Sequence, residues 1–267
     1  MSEKFYFQAF EDRRPYEPAA WSARGERVWH WLGSLNLILG LIYLGWRWTA
    51  GMNPDALWWS IPMALAETAA YIGLALYTFN LWRTEDTPRQ PAPALFTECG
   101  DATAPERLLT VDVFIATYTE DPELVRLSIV DAKRLTYPHP IDIAVHVLDD
   151  GRRDAMRAVA EQEGVHYIMR SSNVGYKAGN LRNALEQTSG DFVVICDADT
   201  RLFPQFITDT LGYFRNGDVA WVQTPQWFYD IPDGDPFGVD PRFFYDVIQR
   251  RRDARVRLVA SAHARLP

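Results

Sequence analysis

The pattern of apolar and polar positions divides the chain into two unlike regions. Val28 to Trp48 is almost wholly apolar, with Arg47 its single formal charge, and Ala56 to Trp82 is a second such run, with Glu67 its single charge. Each is long enough for a helix that crosses a hydrocarbon core, which takes about 20 residues. Trp29, Trp31, Trp46 and Trp48 flank the first run, and Trp58, Trp59 and Trp82 the second, as an interfacial aromatic belt would. The competing reading is a buried helical hairpin of a soluble protein, and two adjacent runs of this length disfavour it. Glu67 is costly in lipid and is expected to face another helix, inside or outside this chain. The link Thr49 to Asp55 has no Lys or Arg. Lys4, Arg13, Arg14, Arg24 and Arg27 precede the runs, and Arg83 and Arg89 follow them. The positive-inside tendency then places both flanks in the cytoplasm.

From Val111 the period changes. Strands are predicted at Val111–Thr117, Ile141–Leu148, Val165–Met169, Phe192–Cys196 and Val219–Val222. Helices are predicted from Pro122 to about Arg134, following Gly151 to about Glu163, from Lys177 to Gln187 and from Pro204 to Phe214. Such alternation implies an α/β fold with a mostly parallel sheet and helices on both faces. Residues 84–107, with Pro88, Pro91, Pro93 and Pro105, read as a linker. The expected organisation is a cytosolic segment 1–27, two transmembrane helices 28–83, the linker, an α/β domain 108–249 and a basic tail 250–267.

Composition adds exclusions. The 267 residues carry a net charge of −8, with 27 basic and 35 acidic side chains, which disfavours a nucleic-acid partner. Six Arg and one Asp lie in 250–267, so the chain before position 250 carries −13. Cys99 and Cys196, far apart and without a CxxC, give neither a disulfide framework nor a zinc site. No basic stretch followed by a small-residue cleavage site opens the chain, so no signal peptide is read.

The chemistry gathers at predicted strand ends. The run Val193-Val194-Ile195-Cys196 stops at Asp197-Ala198-Asp199. Two hard oxygen ligands at the carboxyl edge of a parallel sheet suit Mg²⁺ or Mn²⁺ holding a diphosphate. Thr117-Tyr118-Thr119-Glu120 follows the first strand, Asp149-Asp150-Gly151 the second, and Asn173 to Asn180 opens the helix before the fourth. Alone, the Asp-Asp-Gly reads as a turn with a helix cap, and Lys177 as a solvated helix residue. Right-handed crossovers bring such loops to one edge, where carboxylates, a metal pair and a lysine near a helix N-terminus make a nucleotide-diphosphate site. Neither G-x-G-x-x-G nor G-x-x-x-x-G-K-[ST] occurs, so a dinucleotide oxidoreductase and a P-loop ATPase lose support.

The ordered series Thr117-Tyr118-x-Glu120, Asp149-Asp150-Gly151, Lys177-Ala178-Gly179-Asn180, Asp197-Ala198-Asp199 and Gln223-Thr224-Pro225-Gln226 resembles the cytosolic domain of bacterial cellulose synthase catalytic subunits. More widely it is similar to family 2 processive glycosyltransferases of the GT-A fold, over about residues 108–250. The resemblance implies an inverting transfer of a sugar, taken to be glucose, from a UDP-sugar to a growing β-glycan. It implies Mg²⁺ or Mn²⁺ as cofactor and a multi-pass protein of the bacterial inner membrane with its α/β domain cytosolic. Implied partners are the donor, the β-glycan acceptor, the bilayer and further synthase subunits. By position, Tyr118 and Glu120 border the uridine, Asp149 and Asp150 contact uracil and ribose, and Lys177 contacts the diphosphate. Asp197 and Asp199 hold the metal, with Asp197 also at the diphosphate. Gln223, Gln226 and Trp227 lie near the acceptor.

Departures accompany the match. Ala116 and Thr119 stand where the family usually has Pro and Asn, and Tyr176 stands in place of the residues that often precede the Lys. After Arg250 the Thr-Glu-Asp and Gln-x-x-Arg-Trp motifs of the family are not found, so the expectation is a truncated or frame-shifted end, with the catalytic base beyond it. Two rival readings remain: an inactive nucleotide-binding or scaffolding remnant, and a synthase of another polymer such as a β-1,3-glucan.

Overall fold

The computed structural model describes residues 5–13, 22–83, 89–100, 103–224, 226, 228 and 259–261. It forms two compact units, one of Met1–Pro88 with Trp221–Pro267 and one of Arg89–Ala220.

In the first unit, α1 (Ala23–Thr49) starts at Ser22, whose side chain accepts from the Gly25 amide, and α2 is Leu57–Asn80. At 1.5 Å per residue these helices are about 40 and 36 Å long, enough to cross a bilayer core. No described residue of α1 is buried, and in α2 only Ser60, Ala64 and Thr78 are. Leu, Ile, Trp and Tyr side chains line both helices in the open: Trp31 is 78% exposed, Ile42 63% and Trp58 77%. A core helix of a soluble protein would show the reverse. The two helices join through small and polar contacts. The Tyr71 ring lies over Gly40, where a Cβ would collide with it, and Tyr71 Oη donates to the Leu37 carbonyl at 2.8 Å. Glu67 finds its partners within this chain: Arg47 Nε at 2.9 Å and Tyr43 Oη at 3.1 Å. The costly carboxylate is thereby neutralised inside the hairpin.

The second unit is built on a four-stranded parallel sheet in the order β3-β2-β1-β4, with β1 Leu109–Thr117, β2 Ile141–Asp149, β3 His166–Ile168 and β4 Phe192–Asp197. Side chains alternate across it. Leu109, Val111, Val113 and Ile115 of β1, with Val145 and Val147 of β2, face one layer. There they pack with Val125 and Ile129 of α3 (Pro122–Ala132) and with Met156 and Val159 of α4 (Asp154–Glu163). Phe114 and Leu148 face the other layer, against Leu181 and Ala184 of α5 (Tyr176–Leu185). The helices thus lie on both faces, as alternating strands and helices require. Asp112 is a charge inside β1, and its cost is met by the His146 ring nitrogen Nε2 at 3.0 Å and the Gly190 amide at 2.8 Å.

Helix boundaries follow local chemistry. Asp121 caps α3 by accepting from the Glu123 amide at 2.9 Å, with Pro122 in the first turn. Gly164 ends α4 at φ 67°. The helix predicted from Pro204 is shorter. It is α6 (Phe206–Thr210), which tightens into a 3₁₀ segment, Leu211–Arg215. The strand predicted at Val219–Val222 is β5 (Trp221–Gln223). It pairs in parallel with β6 (Val259–Ser261) instead of joining the main sheet. Trp221 and Gln223 are exposed and Val222 is half-buried, so this stretch lacks the doubly buried run of an inner strand. Residues 89–100 are part of the second unit: Phe96 and Cys99 lie against its core, and the Pro93 carbonyl accepts from Tyr137 Oη at 2.7 Å.

Candidate active site

All four main strands run the same way, so their carboxyl ends share one edge. Thr117 and Asp149 are register partners there, and Asp197 pairs with Ala116. This edge brings together Tyr118, Glu120, Asp149, Asp150, Lys177, Asp197 and Asp199.

Asp149 is fully buried. Its Oδ1 accepts from the Gly151 amide at 2.9 Å and from Arg153 Nε at 3.1 Å. Its Oδ2 accepts from the Arg153 amide at 2.7 Å and from Tyr167 Oη at 2.9 Å. Tyr167 Oη is pushed up to about 12, chiefly by burial and then by its bond to Asp149. Arg153 reaches on to Thr117 Oγ1 at 2.8 Å and to the Glu120 carbonyl at 2.5 Å. Gly151 is required here, because a Cβ would strike the Tyr118 carbonyl.

Glu120 turns back into its own loop. One carboxylate oxygen accepts from Thr117 Oγ1 at 2.8 Å and from the Tyr118 and Thr119 amides at 2.7 and 3.1 Å. Desolvation is the largest single influence and pushes its pKa up. The hydrogen bonds, led by that from Tyr118, together outweigh it and leave Glu120 below the usual glutamate value. Tyr118 itself is 55% exposed.

Asp150 is also buried, and both of its oxygens receive a fork from Arg170, at 2.6 and 2.7 Å. Asn173 Nδ2 donates to the Asp150 carbonyl at 3.1 Å. The loop opening α5 is held in an uncommon shape. Gly175 and Tyr176 are both left-handed, at φ 76° and 48°. For a non-glycine such a conformation costs about 1–3 kcal/mol. Gly179 sits where a Cβ would collide with the Val174 carbonyl and Arg170 Nη1. Asn180 is buried, and its Nδ2 donates to the Leu148 carbonyl at 3.0 Å, tying α5 to β2.

The pair after β4 differs. Asp197 and Asp199 are exposed while Ala198 between them is buried, its carbonyl held by Ser128 Oγ at 2.9 Å. Lys177 Nζ forms an ion pair with Asp197, and both side chains are about half exposed. Among the described residues no donor is seen on the Asp199 carboxylate, and no group of three or more His, Cys, Asp or Glu is arranged as a metal cage. Two free-standing carboxylates, one already holding a cationic group, match a cation site completed by ligand oxygens and water.

Sequence reasoning missed Arg153, Tyr167, Arg170 and Ser128. The partners of Tyr167, Arg170 and Ser128 lie 18 to 70 positions away, beyond any local motif, while Arg153 lies only four from Asp149. The signal that was available is the pair Gly175 and Gly179, which marks a backbone under close approach. The acceptor-side residues Gln223 and Gln226 belong to the first unit. Gln223 closes β5, its Nε2 donating to the Thr224 carbonyl at 3.1 Å, and Gln226 is exposed. Trp227 lies outside the described residues.

A family model described as glycosyl transferase family 2 matches residues 112–264. The chain belongs to glycosyl transferase family 2. Among curated relatives of this family 2 chain, the cellulose synthase catalytic subunit (UDP-forming) of Pseudomonas fluorescens (strain SBW25) is 34% identical over 232 residues, covering 82% of this chain and 30% of the relative. The cellulose synthase 1 catalytic subunit (UDP-forming) of Komagataeibacter xylinus is 32% identical over 246 residues, covering 86% of this chain and 31% of the relative. The chain therefore spans less than a third of the length of these relatives. Among solved structures, a mannosyltransferase of Pyrobaculum calidifontis in complex with GDP-Man and Mn²⁺ superposes with a TM-score of 0.45 at 21% identity, over 60% of this chain and 45% of that one.

Proposed function

We propose that this family 2 chain is the donor-binding part of a membrane-embedded, divalent-metal-dependent glycosyltransferase of the cellulose synthase type. It takes UDP-glucose as donor and a β-glycan as acceptor. The observation that carries this reading is the exposed Asp197/Asp199 pair, beside Lys177, at the carboxyl edge of a parallel sheet. The relatives named as UDP-forming cellulose synthase subunits supply the nucleotide and the sugar.

In this reading Asp197 and Asp199 hold Mg²⁺ or Mn²⁺. When bound, the cation offsets charge that develops on the departing UDP. Lys177, released from Asp197, turns its ammonium to the diphosphate. Tyr118, half-exposed at the same edge, offers a flat apolar face to the base. Asp149 and Asp150 shape the wall of the pocket. Gln223, Gln226 and Trp227 serve the acceptor. The two long exposed helices cross the bacterial inner membrane and keep the α/β unit on the cytosolic side, beside other synthase subunits.

The test is calorimetric titration of the full chain in nanodiscs with UDP, with and without Mn²⁺. Metal-dependent binding that Asp199→Ala removes is expected. Binding of UDP equally well without metal, or none at all, overturns the reading. The latter result would favour a scaffolding role.

A further inference from the structure

The residue that connects most parts of this edge is Arg170, which the ordered motifs do not include. Its guanidinium makes four hydrogen bonds to three separate groups. Nε and Nη2 fork onto the Asp150 carboxylate at 2.6 and 2.7 Å. Nη1 donates to the Val174 carbonyl at 2.6 Å, and Nη2 also to the Tyr176 carbonyl at 2.7 Å. The side chain is only 9% exposed; its fork on Asp150 is partly buried, while its bonds to the Val174 and Tyr176 carbonyls lie at the surface. Its bond to Asp150 raises its pKa further, and it stays charged at every relevant pH.

The geometry has a direction. One end of the fork is anchored on Asp150, the residue just after strand β2. The other end grips the carbonyls on either side of Gly175, including that of Tyr176, whose left-handed φ of 48° is otherwise unfavourable. The residue after Tyr176 is Lys177. Gly179 lets the helix backbone approach the same guanidinium, because a Cβ there would collide with Arg170 Nη1. Asn173 and Arg152 close the frame: Asn173 Nδ2 donates to the Asp150 carbonyl, and Arg152 Nη1 donates to Asn173 Oδ1 at 2.6 Å.

We propose that Arg170 is a positioning residue. It transmits the fixed position of Asp150 to the first turn of α5, and so sets where the Lys177 ammonium meets the diphosphate. Both Asp150 oxygens are used by this fork, so Asp150 acts through Arg170 on the lysine. The proposal rests on the UDP-binding reading above.

It predicts an effect on the diphosphate without an effect on the nucleoside. Binding of UDP with Mn²⁺, and of uridine alone, is measured on the full chain in nanodiscs for the unaltered protein, Arg170→Gln, Lys177→Ala and the double variant. Arg170→Gln is expected to weaken UDP by about tenfold, the scale of one charge-assisted contact, and to change uridine by less than about twofold. In the Lys177→Ala background Arg170→Gln is expected to add nothing. Hydrogen exchange is expected to quicken at the amides of 175–180 while those of β1 and β2 keep their protection. Arg170→Lys, which keeps the charge but loses the fork, is the milder variant if Arg170→Gln does not fold, and is expected to fall between the two. Equal losses for UDP and uridine, additive effects with Lys177→Ala, or exchange quickened across the sheet would each overturn the positioning role while leaving UDP binding in place. If the unaltered chain fails to bind UDP, the nucleotide-sugar reading falls, and this role with it.

Discussion

Two acidic pairs leave the strands on either side of β1, and the fold treats them in opposite ways. Asp149 and Asp150, at the end of β2, are buried and taken up by Arg153, Tyr167 and Arg170. Asp197 and Asp199, at the end of β4, stand in solvent, and among the described residues Lys177 is the group seen to engage the first. Residue type is identical in the two places. Donor supply is what differs: β2 is an inner strand with loops closing over its end, while β4 lies at the edge of the four-stranded sheet. A saturated carboxylate builds the wall of a site, whereas an unsaturated one retains the capacity to bind.

The largest expected effect falls on the saturated pair. Asp149→Ala strands the partly buried Arg153 guanidinium and several donors around a fully buried position, and should destabilise the α/β unit by about 3 kcal/mol, read as a fall in the denaturation midpoint. A change below about 1 kcal/mol would erase the contrast between the pairs. Asp199→Ala should leave that midpoint within about 0.5 kcal/mol, as exposed sites do. It should weaken metal-dependent UDP binding by at least about 10-fold. Lys177→Met should act with opposite signs on two ligands. Mn²⁺ alone, followed by its paramagnetic resonance, should bind about 2- to 5-fold more tightly once the competing ammonium is gone, the scale of an exposed ion pair, while UDP binds more weakly. Unchanged Mn²⁺ affinity would show that the Lys177–Asp197 pair does not compete.

The smallest effect is on the acid side. Glu120 titrates in the fold below its ordinary 4.5. A depressed carboxyl contributes stability that is full above the unfolded value and lost as pH falls through the folded one. Thermal midpoints taken between pH 6 and 3 should drop less steeply below about 4.5 in Glu120→Gln than in the unaltered chain. Parallel curves would remove Glu120 from the set of carboxylates that hold the edge together.

Much of this arrangement was legible in the amino-acid sequence. The alternation of β-branched runs with helical stretches identifies the parallel sheet, and the break at Asp197-Ala198-Asp199 marks the carboxyl end of one of its strands. The fate of each carboxylate was not legible, because it depends on partners brought close by folding. Nothing in Met169-Arg170-Ser171-Ser172 singles out Arg170, which the fold places against Asp150. Glu67 faces another helix, as its cost in lipid implies, and folding decides which group there meets it: Arg47 of α1, twenty positions earlier. The strand after Val219 was expected in the main sheet. Its exposed Trp221 and Gln223 show why a short run of mixed polarity does not specify which sheet it joins.

Ala198 carries a consequence for anyone who would redesign the chain. It is 4% exposed, belongs to the main core cluster, and has its carbonyl fastened to Ser128 on α3. The middle letter of the D-x-D is therefore a packing position set between two solvent-facing ones. A saturation library at 198 should return only the smallest side chains, and ligand preference is better altered from the flanks than from the centre of the motif.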